Sequence, residues 1–307
     1  MRCHACEGSA VIDQPLRCAD HFLEDFERKV ERTIEDHGLI IPGERVAVAV
    51  SGGKDSLTVL TLLKRRHEVT AIAIDEGIAG YRDQTLEDAR RVCAEYGIPL
   101  IIRSYKDLVG MTLDEMMAKK PQHPCTVCGA LRRQLLNATS VDFDVLATGH
   151  NADDEAQAVL MNIIRGNTEI FPRGGPLSGN GATGSEGSEA SPEQGNKSFP
   201  RFVRRVKPLY FCTEKEVMVY AFLKGLATGF TECPNIQGSY RHIVRDELNS
   251  YAQSHPGVRG RLLCRFLIAK QAFPPQAVTL AACSGCGQPS SKDPCRACVL
   301  IQEFAKY

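Results

Sequence analysis

Arg45-Val46-Ala47-Val48-Ala49-Val50-Ser51-Gly52-Gly53-Lys54-Asp55-Ser56-Leu57 is the stretch on which the reading of this chain turns. The apolar, β-branched run from Val46 to Val50 predicts a buried strand. Two glycines interrupt it, and Leu57-Thr58-Val59-Leu60-Thr61-Leu62-Leu63-Lys64 resumes with apolar residues at helical spacing. A strand that turns sharply into a helix through Ser-Gly-Gly presents backbone N–H groups and the positive helix end to an anion. Gly52 and Gly53 let the backbone come close to a phosphate, Ser51 and Ser56 offer hydroxyl donors, and Lys54 adds a point charge. The spacing is too short for the G-x-x-x-x-G-K-[ST] loop.

The six residues Ser51 to Ser56 instead match Ser-Gly-Gly-x-Asp-Ser, the pyrophosphatase-type loop of enzymes that split ATP between the α and β phosphates. An ATP site is therefore expected here, against the plainer alternative of a Gly-rich turn without a ligand.

At 307 residues the chain is long enough for one α/β domain with small accessory modules. No apolar run approaches a membrane span and the N-terminus lacks the apolar core of a signal peptide, so a cytoplasmic protein with no membrane partner is expected. Charge balances at 37 Lys+Arg against 37 Asp+Glu, which by itself argues neither for nor against a polyanionic partner. Its distribution is uneven: Pro200 to Lys270 holds 12 Lys/Arg and 5 Asp/Glu, a stretch that reads either as a polyanion-binding face or as a solvated basic one.

Thirteen cysteines in a cytosolic chain point to metal rather than disulfides. Cys3-x-x-Cys6 followed by Cys18-x-x-His21 has the spacing of two knuckles that close a tetrahedral site, and three sulfurs with one nitrogen suit zinc. Cys283-x-x-Cys286 and Cys295-x-x-Cys298 make a second, zinc-ribbon-like set. The first set, once closed, is structural, with no open coordination position. Cys93, Cys212 and Cys264 are left over and read as small buried apolar residues.

Between the termini, strands and helices alternate. Phe22 to His37 predicts an amphipathic helix with Phe22, Phe26, Val30 and Ile34 on one stripe, and Gly38 ends it. Val69 to Ile74, Leu100 to Ser104 and Val145 to Thr148 predict further strands; Tyr81 to Gly97, Glu214 to Gly225, His242 to Ser254 and Arg259 to Lys270 predict helices. The alternation implies an α/β fold, a doubly wound parallel sheet with its site at the strand carboxyl ends. There Ile74 is placed to offer its backbone to adenine, and Gly149-His150-Asn151-Ala152-Asp153-Asp154-Glu155 follows the last strand. Asp153 and Glu155 read equally well as acids that favour a helix N-terminus. Residues 173–198 are Gly, Ser, Glu, Asn and Pro with almost no large apolar side chain, and read as a disordered insertion. The expected organisation is a zinc module over 1–24, a catalytic domain over 25–272 and a zinc module over 273–307.

Cys125-Thr126-Val127-Cys128-Gly129 belongs to neither terminal set, and spacing alone does not pair it with Cys233. A redox dithiol and half of a third zinc site compete with an iron–sulfur cluster on three thiolates, which leaves one iron without a protein ligand. The ordered series of both cysteine modules, Ser51 to Ser56, Cys125 to Gly129 with Arg132-Arg133, Gly149 to Glu155 and Cys233-Pro234 resembles the tRNA uridine 2-sulfurtransferases of the TtuA/NcsA/cytosolic thiouridylase group. The resemblance covers nearly the whole chain except the insertion. It implies an adenine nucleotide alpha-hydrolase-like fold, ATP on Ser51 to Ser56 with Ile74, Arg132 and Gly149 as further contacts, and Mg²⁺ near Asp55 and Asp154. It further implies a [4Fe–4S] cluster on Cys125, Cys128 and Cys233, two structural Zn²⁺ ions, and tRNA as substrate.

On that reading the uridine C2 carbonyl is adenylated with loss of pyrophosphate, and sulfur then displaces AMP. The sulfur donor is expected to be sulfide or a ubiquitin-like thiocarboxylate carrier, and the assembly a homodimer. The stretch from Arg201 to Lys207 with Arg241, Arg245, Arg259, Arg261 and Arg265 is the expected tRNA-backbone surface, helped by both zinc modules. A persulfide route without a cluster, an amidating or lysidine-type relative, and a non-catalytic zinc RNA-binding adaptor are the competing readings.

Overall fold

The computed structural model describes residues 1–13, 15–179, 202–226, 229, 232–273 and 280–307. A small hairpin, β1 (Ile12–Asp13) and β2 (Leu16–Arg17), precedes the main sheet, whose strands are β3 (Val46–Ala49), β4 (Val69–Asp75), β5 (Leu100–Ser104), β6 (Val145–Ala147), β7 (Leu177–Ser178) and β8 (Arg204–Val206). A second hairpin, β9 (Ala281–Ala282) and β10 (Pro289–Ser290), lies near the C-terminus. The helices are α1 (Ala19–Asp36), α2 (Lys54–Lys64), α3 (Arg82–Glu95), α4 (Tyr105–Val109), α5 (Leu113–Lys119), α6 (Pro124–Thr139), α7 (Ala152–Ile164), α8 (Glu214–Leu223), α9 (Tyr240–Ser254), α10 (Val258–Ala269) and α11 (Arg296–Phe304).

The main sheet runs β5-β4-β3-β6-β8-β7. All neighbours pair in parallel except β7 with β8; in register, Val48 lies opposite Ala71 on one side and Ala147 on the other. The doubly wound sheet expected from the sequence is thus present, with an antiparallel edge strand added. That strand falls inside the expected insertion, whose residues from 180 onward lie outside the described residues, as does Arg201.

Side-chain alternation explains why both faces are covered. Val46, Val48 and Val50 enter one core with Phe26, Leu57, Leu60 and Val217, which belong to α1, α2 and α8. Ala47, Ile72 and Ile74 enter the other with Leu113, Met116, Leu131, Leu300 and Phe304, from α5, α6 and α11. Helix α2 is apolar on almost every side, and its Leu57, Val59, Leu60 and Leu63 are buried accordingly. Helix α1 docks by its predicted stripe, Phe26 stacking on Tyr220 of α8 at 4.6 Å between centroids, although Thr33 is buried and Ile34 only partly so. A third cluster joins α7, α9 and α10 through Ala156, Leu248, Leu263 and Phe266.

Cys93 and Cys212 are buried as expected, but Cys264 is exposed. It sits one residue after buried Leu263, and a step of roughly 100° around a helix turns it out of the third cluster. Among the described residues no helix is long and apolar enough to cross a membrane.

Candidate active site

The strand order reverses between β3 and β6, and the loops leaving their carboxyl ends meet at one crevice. A cavity of about 440 Å³ opens there, lined among others by Ser51, Gly52, Gly53, Lys54, Asp55, Asn151, Asp154, Glu214, Cys233 and Arg241. Gly52 has φ +82°, and a Cβ on it would lie 1.7 Å from the Thr85 carbonyl oxygen, so no other residue fits this turn without moving α3. Gly53 begins α2 with no side-chain cap, which leaves the first N–H groups of the helix available to an anion. The serine hydroxyls, expected as donors to a ligand, are engaged within the loop: Ser56 Oγ accepts from Ser51 N (3.1 Å) and donates to the Gly53 carbonyl (3.0 Å). Gly149 does not line the cavity. It lets β6 close on the loop, since a Cβ there would sit 2.8 Å from the Ser56 amide nitrogen.

Charged groups alternate in sign around the cavity. Lys54 Nζ reaches Asp55 Oδ2 at 3.0 Å and Glu214 Oε1 at 3.1 Å. Burial pushes the Lys54 ammonium down, but Asp55 and Glu214 outweigh it and hold it above its ordinary value. Asp55 also accepts from Asn151 Nδ2 at 2.9 Å, and Asn151 caps α7 by accepting from the amides of Asp153 and Asp154. Burial raises both Asp55 and Asp154 above the ordinary aspartate range, and each is raised further by a neighbouring acid. Lys54 and Arg241 offset the raised values only in part, and two such carboxylates beside a phosphate loop are a hard-oxygen pair of the type that holds Mg²⁺. Asp153 lines the cavity too, whereas Glu155 does not, and both are engaged in packing contacts. Asp153 accepts from Glu214 N (2.8 Å) and pairs with Arg259, while Glu155 pairs with Lys207 (2.8 Å), so both dock α7 on its neighbours.

The three central cysteines converge on the edge of this cavity. Cys233 lines it directly, and Cys125, in the first turn of α6, places its Sγ 3.5 Å from the Asn235 carbonyl oxygen two residues beyond. Negative charge on Cys233 is felt at both Cys125 and Cys128, and burial raises both of those thiols. Cys128 Sγ receives Arg132 Nη2 at 3.2 Å and the Tyr105 hydroxyl at 3.4 Å. Among the described residues only the two terminal sets bring three or more His, Cys, Asp or Glu ligand atoms all within 4.8 Å of one another. The central cysteines are not gathered that tightly, and three thiolate donors are a ligand set that suits an iron–sulfur cluster.

Arg132 joins a buried network that sequence reasoning missed. Glu76 sits between Arg132 Nε (2.8 Å) and Arg82 Nε (3.0 Å), and Arg82 donates to the Ser51 and Ile74 carbonyls. Of the Ile74 backbone expected to meet adenine, the carbonyl is thus occupied by Arg82, and Ile74 is not among the residues lining the cavity. Glu214 was also missed, and Arg241, expected on the tRNA-backbone surface, lines this cavity; each lies far along the chain in an otherwise ordinary helical segment. The only signals were the helix start at Glu214 and the local basic excess around Arg241.

Both terminal sets are assembled for a metal. His21 Nδ1 lies 3.2 Å from Cys18 Sγ and 3.6 Å from Cys3 Sγ, and Cys283 Sγ lies 3.8 Å from Cys298 Sγ. The amide of Cys295 donates to Cys283 Sγ at 3.2 Å and, with further amides, holds that thiol down at about 6, which favours the thiolate that zinc binds. The predicted tRNA face is less free than its composition suggests. Arg204 pairs with Glu44, Lys207 with Glu155, Arg241 with Asp154, Arg245 with Glu232 and Arg259 with Asp153.

Comparison with known proteins places these features in context. The family model described as PP-loop domain matches residues 22–251. The chain is 37% identical to a tRNA-5-methyluridine(54) 2-sulfurtransferase of Pyrococcus horikoshii, covering 97% of this chain and 93% of that one. It is 36% identical to the cytoplasmic tRNA 2-thiolation protein 1 of Drosophila melanogaster, covering 97% of this chain and 86% of the relative. The structure of the U34-tRNA thiolase NcsA from Methanococcus maripaludis with its [4Fe–4S] cluster superposes with TM-score 0.79 at 30% identity, covering 99% and 96% of the two chains.

Proposed function

This chain belongs to the PP-loop family, and within it to the group that includes tRNA 2-thiolation proteins; on that premise we propose that it is an ATP-dependent tRNA uridine 2-sulfurtransferase. One observation carries the proposal: Cys233 and the Ser51–Asp55 loop line the same cavity, with Cys125 packed against the segment that bears Cys233.

The α2 N-terminus, the Gly52–Gly53 backbone and Lys54 hold the ATP phosphates, and Asp55 with Asp154 holds Mg²⁺. The uridine O2 attacks the α-phosphorus and pyrophosphate leaves with the bonding pair. A sulfur nucleophile then adds to C2, and AMP departs with the former uridine oxygen, so no electrons are gained or lost overall. Lys54 neutralises charge as pyrophosphate forms. Cys125, Cys128 and Cys233 hold a [4Fe–4S] cluster, which when bound supplies an iron without a protein ligand, open to sulfide. Arg132 and Tyr105 orient Cys128. Residues 1–24 and 273–307 are zinc modules that flank the catalytic residues 25–272 and help to grip the RNA. Sulfide or a ubiquitin-like thiocarboxylate carrier donates the sulfur, in a cytoplasmic homodimer.

Anaerobic purification followed by iron and acid-labile sulfide analysis, with tRNA-dependent AMP and pyrophosphate release measured on the same sample, tests this. Iron and sulfide in comparable amounts, both lost on Cys233→Ser, are expected. Activity retained without iron removes the cluster, and absence of tRNA-dependent AMP release removes the enzyme reading.

A further inference from the structure

The arginines of the predicted RNA face are largely paired internally, yet one of them, Arg205, joins two cations from elsewhere in the chain in a group with no acidic ion-pair partner among the described residues. A second cavity, of about 370 Å³, opens between α6, β8 and the C-terminal cysteine module, and Arg133, Arg205 and Arg296 all line it. Among the described residues no carboxylate forms an ion pair with any of the three within 4.0 Å. Arg205 donates to Asn137 Oδ1 at 2.6 Å. Burial and the like charge of Arg133 push Arg205 below its ordinary value. The cavity also holds an unmet polar group, because Gln134 lines it and its Oε1 is buried without a hydrogen-bond partner. Turning that amide over would present its NH₂ to the same space.

Three guanidinium groups with no carboxylate paired to them among the described residues repel one another, and an anion with several acceptor oxygens relieves that repulsion by charge-assisted bonds. Two features favour a nucleic-acid phosphate over a free one. Phe202 lines the same cavity and offers a flat apolar surface on which a base can stack. Arg133 and Arg296 are exposed, as befits groups that meet a long strand passing over the surface. The position also suits the reaction. Cys128 and Arg133 lie five residues apart on α6, roughly 7.5 Å along the helix axis.

We propose that Arg133, Arg205 and Arg296 form an anchor for a phosphodiester of the bound tRNA, beside the C-terminal zinc module and a short distance along α6 from the central cysteines. The assignment rests on the reading of the chain as a tRNA-modifying enzyme.

The test is tRNA binding by fluorescence anisotropy over a series of salt concentrations, comparing the full chain with R133Q, R296Q and the double variant. Both side chains are exposed, and R133K/R296K keeps the charge and controls for folding. Each neutral variant should weaken binding several-fold at low salt and flatten the slope of log K against log salt by about 0.7–0.9, whereas the lysine pair should keep the slope. ATP affinity in the same samples reports on the first cavity. Wild-type binding with an unchanged slope in the double variant overturns the anchor and leaves the proposed function standing. Loss of inorganic phosphate binding with an unchanged tRNA slope also overturns it, in favour of a free-anion site. Failure of the wild-type chain to bind tRNA overturns both.

Discussion

Replacing Glu76 by glutamine keeps the side-chain volume and removes the one carboxylate shared by two arginines at the site. Glu76 and Arg82 are both buried, 3.0 Å apart, while the Arg132 side chain on the other side is 46% exposed. Removing one partner of a buried ion pair costs about 3–5 kcal/mol, because the remaining charge is left in a low-dielectric site. Arg82 keeps the Ser51 and Ile74 carbonyls as acceptors, which puts the expected loss at the lower end, about 3 kcal/mol. Arg132 adds little, since water screens a half-exposed guanidinium. At roughly 2–4 °C per kcal/mol for a domain of this size, Tm should fall by about 6–12 °C.

Circular dichroism melts of the wild type and the variant measure this directly. A second readout separates stability from the site: Arg82 holds the Ser51 carbonyl at the start of the phosphate turn, so ATP affinity by calorimetry should drop about tenfold, or 1.4 kcal/mol. A Tm change under about 2 °C with unaltered ATP affinity would refute the idea that Glu76 ties the phosphate loop to the cysteine side of the site.

Gly52→Ala should abolish measurable ATP binding while leaving a folded chain, because its methyl group would meet the Thr85 carbonyl at 1.7 Å; near-normal calorimetric affinity would contradict the assigned loop geometry. The raised Asp55 and Asp154 disfavour the ionised form in the fold, so their destabilising effect is present above the folded pKa values and is relieved as pH falls through them. Mg²⁺–ATP affinity should decline over that same acidification, beginning above the ordinary aspartate value of about 3.9, and an affinity flat down to that value would contradict it. Asp154→Asn should leave Tm unchanged or higher and weaken Mg²⁺–ATP at least about tenfold, a stability–function trade-off read by melting and calorimetry together. Cys298→Ser should release one zinc equivalent, as measured by a colorimetric chelator, and lower Tm, because α11 carries Leu300 and Phe304 into the core; an unchanged zinc content would exclude that set as a metal site.

What the sequence determined by itself was local or periodic. The strand-to-helix turn at Ser51 to Ser56 is legible because glycine spacing and apolar periodicity lie within a dozen residues. The two terminal metal sets are legible because each closes through short Cys-x-x-Cys or Cys-x-x-His knuckles. Strand and helix alternation sufficed for a doubly wound sheet, but not for β7, a two-residue edge strand too short to leave a period.

Only the tertiary structure decided which distant groups meet. It carries Cys233 to the rim of the phosphate loop and the start of α8 to Lys54, contacts that depend on how α6, α7 and α8 pack and leave no mark on sequence spacing. It also decided which charges are free. Most of the basic residues named between 200 and 270 turn out to be paired with acids, one as remote as Glu44, while Arg205 from that stretch shares a cavity with Arg133 and Arg296, scattered over more than 160 positions, with no carboxylate paired to any of the three among the described residues. Composition records how many charges a segment holds; their pairing is fixed by three-dimensional proximity, because an ion pair forms over a few ångströms whatever the distance along the chain.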